Sequence, residues 1–113
     1  MLAREFRLTK ESDFKKILKT GKKDKSRFFR ICFFKNNLDS SRFAVVASLK
    51  ISKKSTKRNY LKRQVREIIR LKSSELKGHY DVVVSILPNA LKKKYADLGT
   101  DLISLFKRNE LIS

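Results

Sequence analysis

The sequence predicts a single α/β domain over residues 1–113, an α-β sandwich whose elements follow the order αββαβα. Three observations support this fold class. A chain of 113 residues is long enough for one hydrophobic core and too short for two ordinary domains. Apolar residues make up 41% of the composition and include eight Phe, which is enough material to bury. The hydrophobic period also alternates along the chain between the helical value and the strand value.

The first half of the chain contains one predicted helix and two predicted strands. Residues 10–19 form the helix, in which Phe14, Ile17 and Leu18 recur at helical spacing, and Gly21 ends it. A basic loop over residues 22–27 follows. Aromatic and β-branched residues predict strands at 28–35 and 43–49, and the turn-like segment between them predicts an antiparallel hairpin.

The second half contains a helix, a strand and a last helix. Residues 57–73 have a clean helical period, with Ser55 or Thr56 as the expected N-cap. Residues 80–87 contain the run Val82-Val83-Val84 and end at Pro88, which predicts a buried strand that is the third or central one. The last helix is indicated by apolar residues spaced three and four apart, namely Tyr95, Leu98, Leu102, Leu105 and Phe106.

The charge balance points to a polyanionic partner. Lys and Arg total 29 against 11 Asp and Glu, so the formal net charge is +18. Such self-repulsion is most easily understood if a nucleic acid neutralises it. No apolar run has the length of a membrane span, and no apolar signal-peptide region follows the basic N-terminus, so we expect a cytoplasmic protein without a membrane partner.

The residues that usually ligate metals or act as nucleophiles are scarce. Cys32 is the single cysteine and His79 the single histidine, which excludes an internal disulfide and a zinc knuckle. We expect Cys32, which lies in an apolar run, to be buried or half-buried rather than a nucleophile. Asp97 and Asp101 are spaced for one helix face, but two lysines precede them and a solvated face is the better interpretation. The sequence therefore shows no catalytic constellation.

The predicted helix at 57–73 separates apolar residues from cations. At ~100° per residue, Leu61, Val65, Ile68 and Ile69 share one side. The cations Arg58, Lys62, Arg66 and Arg70 follow one another at i+4 spacing, with Asn59 and Arg63 beside them and Lys53 and Lys54 before them. Like charges at this spacing destabilise a helix by ~0.2–0.5 kcal/mol per pair. The simplest interpretation is that this row of cations faces solvent. We favour the interpretation that it binds the phosphate backbone of a nucleic acid.

These residues carry a resemblance to the bacterial ribonuclease P protein family. The family signature is an Arg-Asn-Arg core, a Lys-Arg pair and a further Arg, and here the segment is Arg58-Asn59-Tyr60-Leu61-Lys62-Arg63-Gln64-Val65-Arg66. Tyr60 stands in place of the second Arg of the core. The segments 13–21, 50–54 and 80–84 are similar to the family's first helix, its pre-helix loop and its next strand.

The resemblance implies a fold related to the second domain of ribosomal protein S5, with a left-handed βαβ crossover that carries the basic helix. It implies that this helix and its loop bind the catalytic RNA subunit of ribonuclease P, and that a cleft between the first helix and the sheet holds the 5′ leader of precursor tRNA. The cleft residues carried over are Phe14, Leu18, Arg30, Cys32 and Phe34, and Leu18 departs from an aromatic residue common at that place.

The resemblance further implies that catalysis belongs to the RNA. The protein itself is then expected to bind no cofactor, the RNA-containing holoenzyme to require Mg²⁺, and no obligate protein partner to be needed. Two other interpretations use the same composition. A ribosomal or general RNA-binding protein would use the basic face without a leader cleft. A membrane-active protein would require an exposed amphipathic helix with a large apolar face, and an autonomous nuclease would be active in the absence of an RNA subunit.

Overall fold

The computed structural model describes residues 11–38 and 40–112, with side chains from residue 15 onward. Two short 3₁₀ turns lie at Ser73–Glu75 and Pro88–Ala90. The helices and strands of the described residues are α1 (Glu11–Thr20), β1 (Lys22–Lys25), β2 (Phe29–Lys35), β3 (Arg42–Val46), α2 (Ser55–Lys72), β4 (Tyr80–Ile86) and α3 (Tyr95–Arg108).

The sheet of the described residues has the strand order β1-β2-β4-β3. β4 pairs antiparallel with β2 and parallel with β3, so α2 connects two adjacent parallel strands. The predicted hairpin between β2 and β3 is therefore wrong, because β4 lies between them. Val82, Val83 and Val84 are all buried, which is typical of a central strand that helices cover on both faces. The predicted central strand is confirmed, and the hand of the crossover stays a prediction.

The first strand was not expected. Residues 22–27 were predicted as a basic loop, but Lys22–Lys25 pair antiparallel with β2 and give the order αβββαβα. β1 is an edge strand of three lysines and one aspartate, and its side chains are exposed or half-buried. Such a strand has no apolar alternation to reveal it, and charged residues are the usual composition of a protected sheet edge.

The sheet is covered on both faces, which agrees with the predicted sandwich. α2 and α3 pack on the face that presents Phe29, Ile31 and Phe33, and these three residues are buried in the main core. α1 covers the opposite face through Ile17, which packs with Cys32 and Val83 in a smaller cluster. The two faces thus carry the two sequence features of interest, the basic helix on one side and the α1 region on the other.

The start of α2 differs from the prediction. The helix begins at Ser55 with Lys54 as N-cap, and Lys54 makes no side-chain capping hydrogen bond. Ser55 and Thr56, which were expected to cap, lie inside the first turn. The first turn also contains no acidic residue. The helix N-terminus therefore offers unpaired N–H groups beside lysines, an arrangement that favours an anion.

The end of α1 requires a glycine. Gly21 donates its backbone N–H to the carbonyl oxygen of Ile17 at 2.8 Å, and a Cβ at this position would lie 2.6 Å from that oxygen and 2.8 Å from the carbonyl oxygen of Phe33. Both neighbours are backbone atoms, so they cannot rotate away. The predicted stop at Gly21 is confirmed, and its physical cause is the close approach of α1 to β2.

The turn between β1 and β2 is tied to α3. Asp101 Oδ2 accepts hydrogen bonds from Ser26 Oγ at 2.6 Å and from the Phe28 N–H at 3.0 Å. A second connection joins β1 to the C-terminal end of α3, where Asp24 accepts hydrogen bonds from Arg108 Nε at 2.9 Å and from Asn109 Nδ2 at 2.8 Å. The interpretation of Asp101 as part of a solvated face is therefore wrong, whereas Asp97 is exposed as predicted.

Candidate nucleic-acid interface

The predicted row of cations lies along one flank of α2. With a rise of ~1.5 Å per residue, the twelve residue steps from Arg58 to Arg70 span ~18 Å, which is the length of several nucleotides. Arg58, Lys62 and Arg66 are half-buried, because the row starts beside the buried side of the helix. Leu61, Val65, Ile68 and Ile69 are buried as predicted. Arg70 at the end of the row is exposed, and so are Asn59 and Arg63 beside the row.

The two ends of the row have partners within the protein. Arg58 Nη1 donates to the carbonyl oxygen of Ser52 at 2.8 Å, which joins the preceding loop to the helix. Arg70 Nε donates to Glu67 at 3.0 Å, and this hydrogen bond lowers the pKa of the Glu67 carboxyl. The pair is exposed, so its contribution to stability is small.

The middle of the row is electrostatically uncompensated. Within the described part of the chain, the side chains of Lys62, Arg63 and Arg66 form no hydrogen bond or ion pair. Lys53 and Lys54 are exposed just before the helix and extend the same positive surface. All eight predicted RNA-binding residues therefore lie on one continuous segment, from the pre-helix loop to the last turn of α2.

The α1 face carries a separate groove of about 380 Å³. The half-buried Phe34 lines it, with Lys16 Nζ placed 5.1 Å from the centre of the Phe34 ring. Ala44 and Val46 on β3 are half-buried, so the sheet beside α1 is not fully covered. The other lining residues are Ile17, Asn36, Asn37, Leu38, Arg42 and Asp81.

The predicted cleft residues are only partly brought together. Leu18 is 43% exposed on α1, and Arg30 is exposed on the same strand face as Phe34. Cys32 is buried under α1, where its Sγ donates to the carbonyl oxygen of Ile17 at 2.9 Å and burial raises the pKa of the thiol. Its burial is confirmed, but its assignment as a cleft-lining residue is corrected, because it presents almost no surface. The Phe14 side chain lies outside the described residues.

A polar cluster at the edge of the groove was missed by the sequence interpretation. Asp81 is buried, and its Oδ1 accepts from Asn36 Nδ2 at 2.8 Å and from Arg42 Nε at 2.9 Å, while Oδ2 accepts from Arg42 Nη2 at 2.6 Å. The three residues come from different parts of the chain. The available signal was an aspartate at the start of an otherwise apolar strand, since a buried carboxylate needs a cationic partner.

The described residues contain neither a metal-binding cluster nor a helix that could span a membrane. No group of three or more His, Cys, Asp and Glu side chains in this part of the chain is arranged to hold a metal ion. Of the helices described, none has the length and hydropathy needed to cross a bilayer.

Comparison with known proteins adds an independent result. The sequence pattern of the family described as Ribonuclease P matches residues 2–110. The ribonuclease P protein component of a Pseudanabaena strain is 32% identical, over 99% of this chain and 97% of that protein. The corresponding protein of Fusobacterium nucleatum is 35% identical, over 93% of this chain and 97% of its own. The solved ribonuclease P protein of Thermotoga maritima superposes with a TM-score of 0.82 at 34% identity, covering 90% of this chain and 96% of that one.

Proposed function

Because the chain belongs to the ribonuclease P protein family, we propose that α2 is its contact with the catalytic RNA and that the groove beside α1 binds the 5′ leader of precursor tRNA. Membership makes the chain the protein component of the ribonuclease P holoenzyme, which acts in tRNA 5′ processing together with an RNA subunit. Family membership alone does not assign individual side chains of this chain to the catalytic RNA or to the precursor tRNA.

The uncompensated middle of the α2 row carries the proposal. Lys62, Arg63 and Arg66 have no partner among the described side chains, and the helix start beside them lacks acidic residues. A phosphate backbone supplies a negative charge at every nucleotide, and guanidinium groups bind phosphate oxygens in pairs. RNA bound along α2 would thus remove the repulsion that the row imposes on the free protein.

The α1 groove supports the leader assignment by its shape and composition. Single-stranded RNA is bound by stacking its bases on aromatic rings while cations follow the backbone. Phe34 with Lys16 above it, and the exposed Arg30 on the same strand face, offer such a combination. Leu18 adds an exposed apolar surface on the helix side. In this proposal the groove distinguishes precursor from mature tRNA, because only the precursor has a leader.

The chain's part in the reaction is electrostatic and geometric. Hydrolysis of a phosphodiester requires an activated water and charge neutralisation, commonly by divalent ions held by oxygen ligands. The described residues of this chain do not fit such a metal site. We propose that Mg²⁺ is bound by the RNA, and that the cations of α2 neutralise phosphates so that the RNA subunit and the precursor approach each other.

Reconstitution at low Mg²⁺ concentration tests the function. Precursor tRNA is incubated with the RNA subunit alone, with this protein alone and with both. We expect removal of the 5′ leader only when both are present. Cleavage by the protein alone, or no stimulation of the RNA at any protein concentration, would contradict the proposal.

The leader assignment has its own test. Phe34→Ala should weaken the binding of precursor tRNA to the reconstituted holoenzyme and leave the binding of mature tRNA unchanged. The matched control is Leu71→Ala, which truncates an exposed apolar residue near the end of α2. Phe14→Ala is expected to behave in the same way as Phe34→Ala. Equal losses for precursor and mature tRNA would exclude the groove as the leader site.

A further inference from the structure

A further pocket lies on the flank of α2 opposite the row of cations. It is separate from the groove beside α1. It has a volume of about 260 Å³ and lies between the first half of α2 and the segment that follows β4. Leu61 and Leu91 supply apolar surface, and Tyr60 stands at the α2 side. The volume is below the ~300–1,000 Å³ of sites for drug-sized ligands, so the pocket suits one small planar group.

Tyr60 is available to a ligand. Its side chain is 59% exposed, which is unusual for an aromatic residue that has a core beside it. Gln64, one turn later, donates a hydrogen bond from its Nε2 to the Tyr60 hydroxyl oxygen at 3.4 Å. An exposed aromatic ring is a surface on which a nucleobase stacks.

The charges around the pocket favour an anionic ligand. Lys57, Lys92 and Lys93 line it, and none of its lining residues is acidic. Lys92 has a φ of 68°, a left-handed conformation that a residue with a side chain rarely adopts. Lys93 Nζ lies 5.8 Å from the centre of the Phe28 ring. An apolar floor with a cationic rim matches a base together with its phosphates better than it matches an apolar peptide.

The pocket is continuous with the proposed RNA surface. Arg63 and Tyr60 are three residues apart on α2, a spacing that makes their side chains neighbours on the helix surface. Arg63 is exposed and has no side-chain partner among the described residues. An RNA strand that contacts Arg63 therefore reaches Tyr60 by continuing around the helix, away from the row.

We propose that one unpaired nucleobase of the RNA bound by α2 stacks on Tyr60 in this pocket, with Lys57 and Lys92 contacting the adjacent phosphates. The proposal rests on the proposed function, because it requires that α2 binds RNA. It assigns a role to the position at which this chain has a tyrosine in place of the second arginine of the family signature. The ligand is a base in a non-helical part of the RNA, since a paired base does not present its face.

Equilibrium binding of the full chain to the ribonuclease P RNA subunit tests the pocket, with the variants Tyr60→Ala, Tyr60→Phe and Tyr95→Ala. Tyr95 is the matched control, since it is also an exposed tyrosine and begins α3. Loss of one stacked base predicts a weakening of about 5- to 150-fold for Tyr60→Ala. Tyr60→Phe and Tyr95→Ala should bind like the wild type. The dependence of affinity on salt should be unchanged in Tyr60→Ala, because no charge is removed.

A fourth variant and a crosslink complete the test. Lys92→Ala should weaken binding and reduce the salt dependence by about one phosphate contact. RNA that contains 4-thiouridine should crosslink on irradiation to peptides from residues 57–64 or 91–93. Equal affinities for Tyr60→Ala and Tyr95→Ala would overturn the pocket while leaving the proposed function intact. Weaker RNA binding in variants of the α2 row, together with unchanged binding in Tyr60→Ala, would likewise overturn the pocket and leave the proposed function intact. No RNA binding by the wild type would instead overturn the proposed function.

Discussion

Removing two charges from the middle of α2 should change the salt dependence of RNA binding by a calculable amount. Lys62 and Arg66 have no side-chain partner among the described residues, so Lys62→Ala/Arg66→Ala breaks no internal ion pair. Each phosphate contact contributes about 0.7–0.9 to the slope of log K against log salt concentration, so the slope should fall by about 1.4–1.8. Between 50 and 200 mM salt, the wild type should therefore lose about 7- to 12-fold more affinity than the variant does.

The measurement is a titration of the RNA subunit at several salt concentrations, followed by fluorescence anisotropy or filter binding. Lys77→Ala/Lys107→Ala is the matched control, because it removes the same number of charges from exposed lysines outside α2. Its slope should remain close to that of the wild type. Equal slope changes in the two double variants would show that net charge alone governs binding, and would refute the assignment of the contact to α2.

Three further predictions concern stability and pH, all measured by urea unfolding. Gly21→Ala should destabilise the fold by about 1–3 kcal/mol, because the new Cβ would meet two backbone oxygens at 2.6 and 2.8 Å. Gly78→Ala is the control and should cost much less, because the nearest atom to its Cβ is a side-chain atom at 3.4 Å. Equal losses of stability in the two variants would contradict this reasoning. Asp81→Ala should cost about 3 kcal/mol, because it leaves the Arg42 guanidinium without its buried carboxylate, and a loss below 1 kcal/mol would show that the pair is not stabilising. The hydrogen bonds from Asn109 and then Arg108 lower the pKa of Asp24, so its stabilisation is present above about pH 4 and is lost as pH falls through the folded-state pKa. Asp24→Asn should accordingly show a shallower loss of stability on acidification than the wild type, and parallel pH curves would exclude this role.

The sequence was sufficient for the elements that have a strong hydrophobic period. Helices α2 and α3 and strands β2 and β4 follow from apolar spacing, and the alternation of helical and strand periods predicts the α/β fold class. The cations of α2 were identifiable because a single helix places them, so no long-range contact is needed to bring them together.

The features that were missed depend on contacts between distant residues. β1 has no apolar side chain, and only its pairing with β2 makes it a strand. The hairpin was expected from the short connection between β2 and β3, but burial on both faces gives the central place to β4, which follows much later in the chain. Asp101 was assigned to a solvated face because two lysines precede the pair Asp97 and Asp101. Its actual donors, Ser26 and the Phe28 N–H, lie 75 and 73 residues away, where no local pattern reveals them.

The central position of β4 has a consequence for synthesis on the ribosome. β2 and β3 are complete by Val46. β2 can pair with β1 at once, but its second edge and the whole of β3 find their hydrogen-bonding partner only in Tyr80–Ile86. The nascent chain must therefore carry two strands with unsatisfied edges, together with the strongly cationic α2, until β4 emerges from the exit tunnel. Long-range pairing of this kind slows folding and leaves edges open to wrong association. We expect the sheet to form late, after most of the chain has been translated.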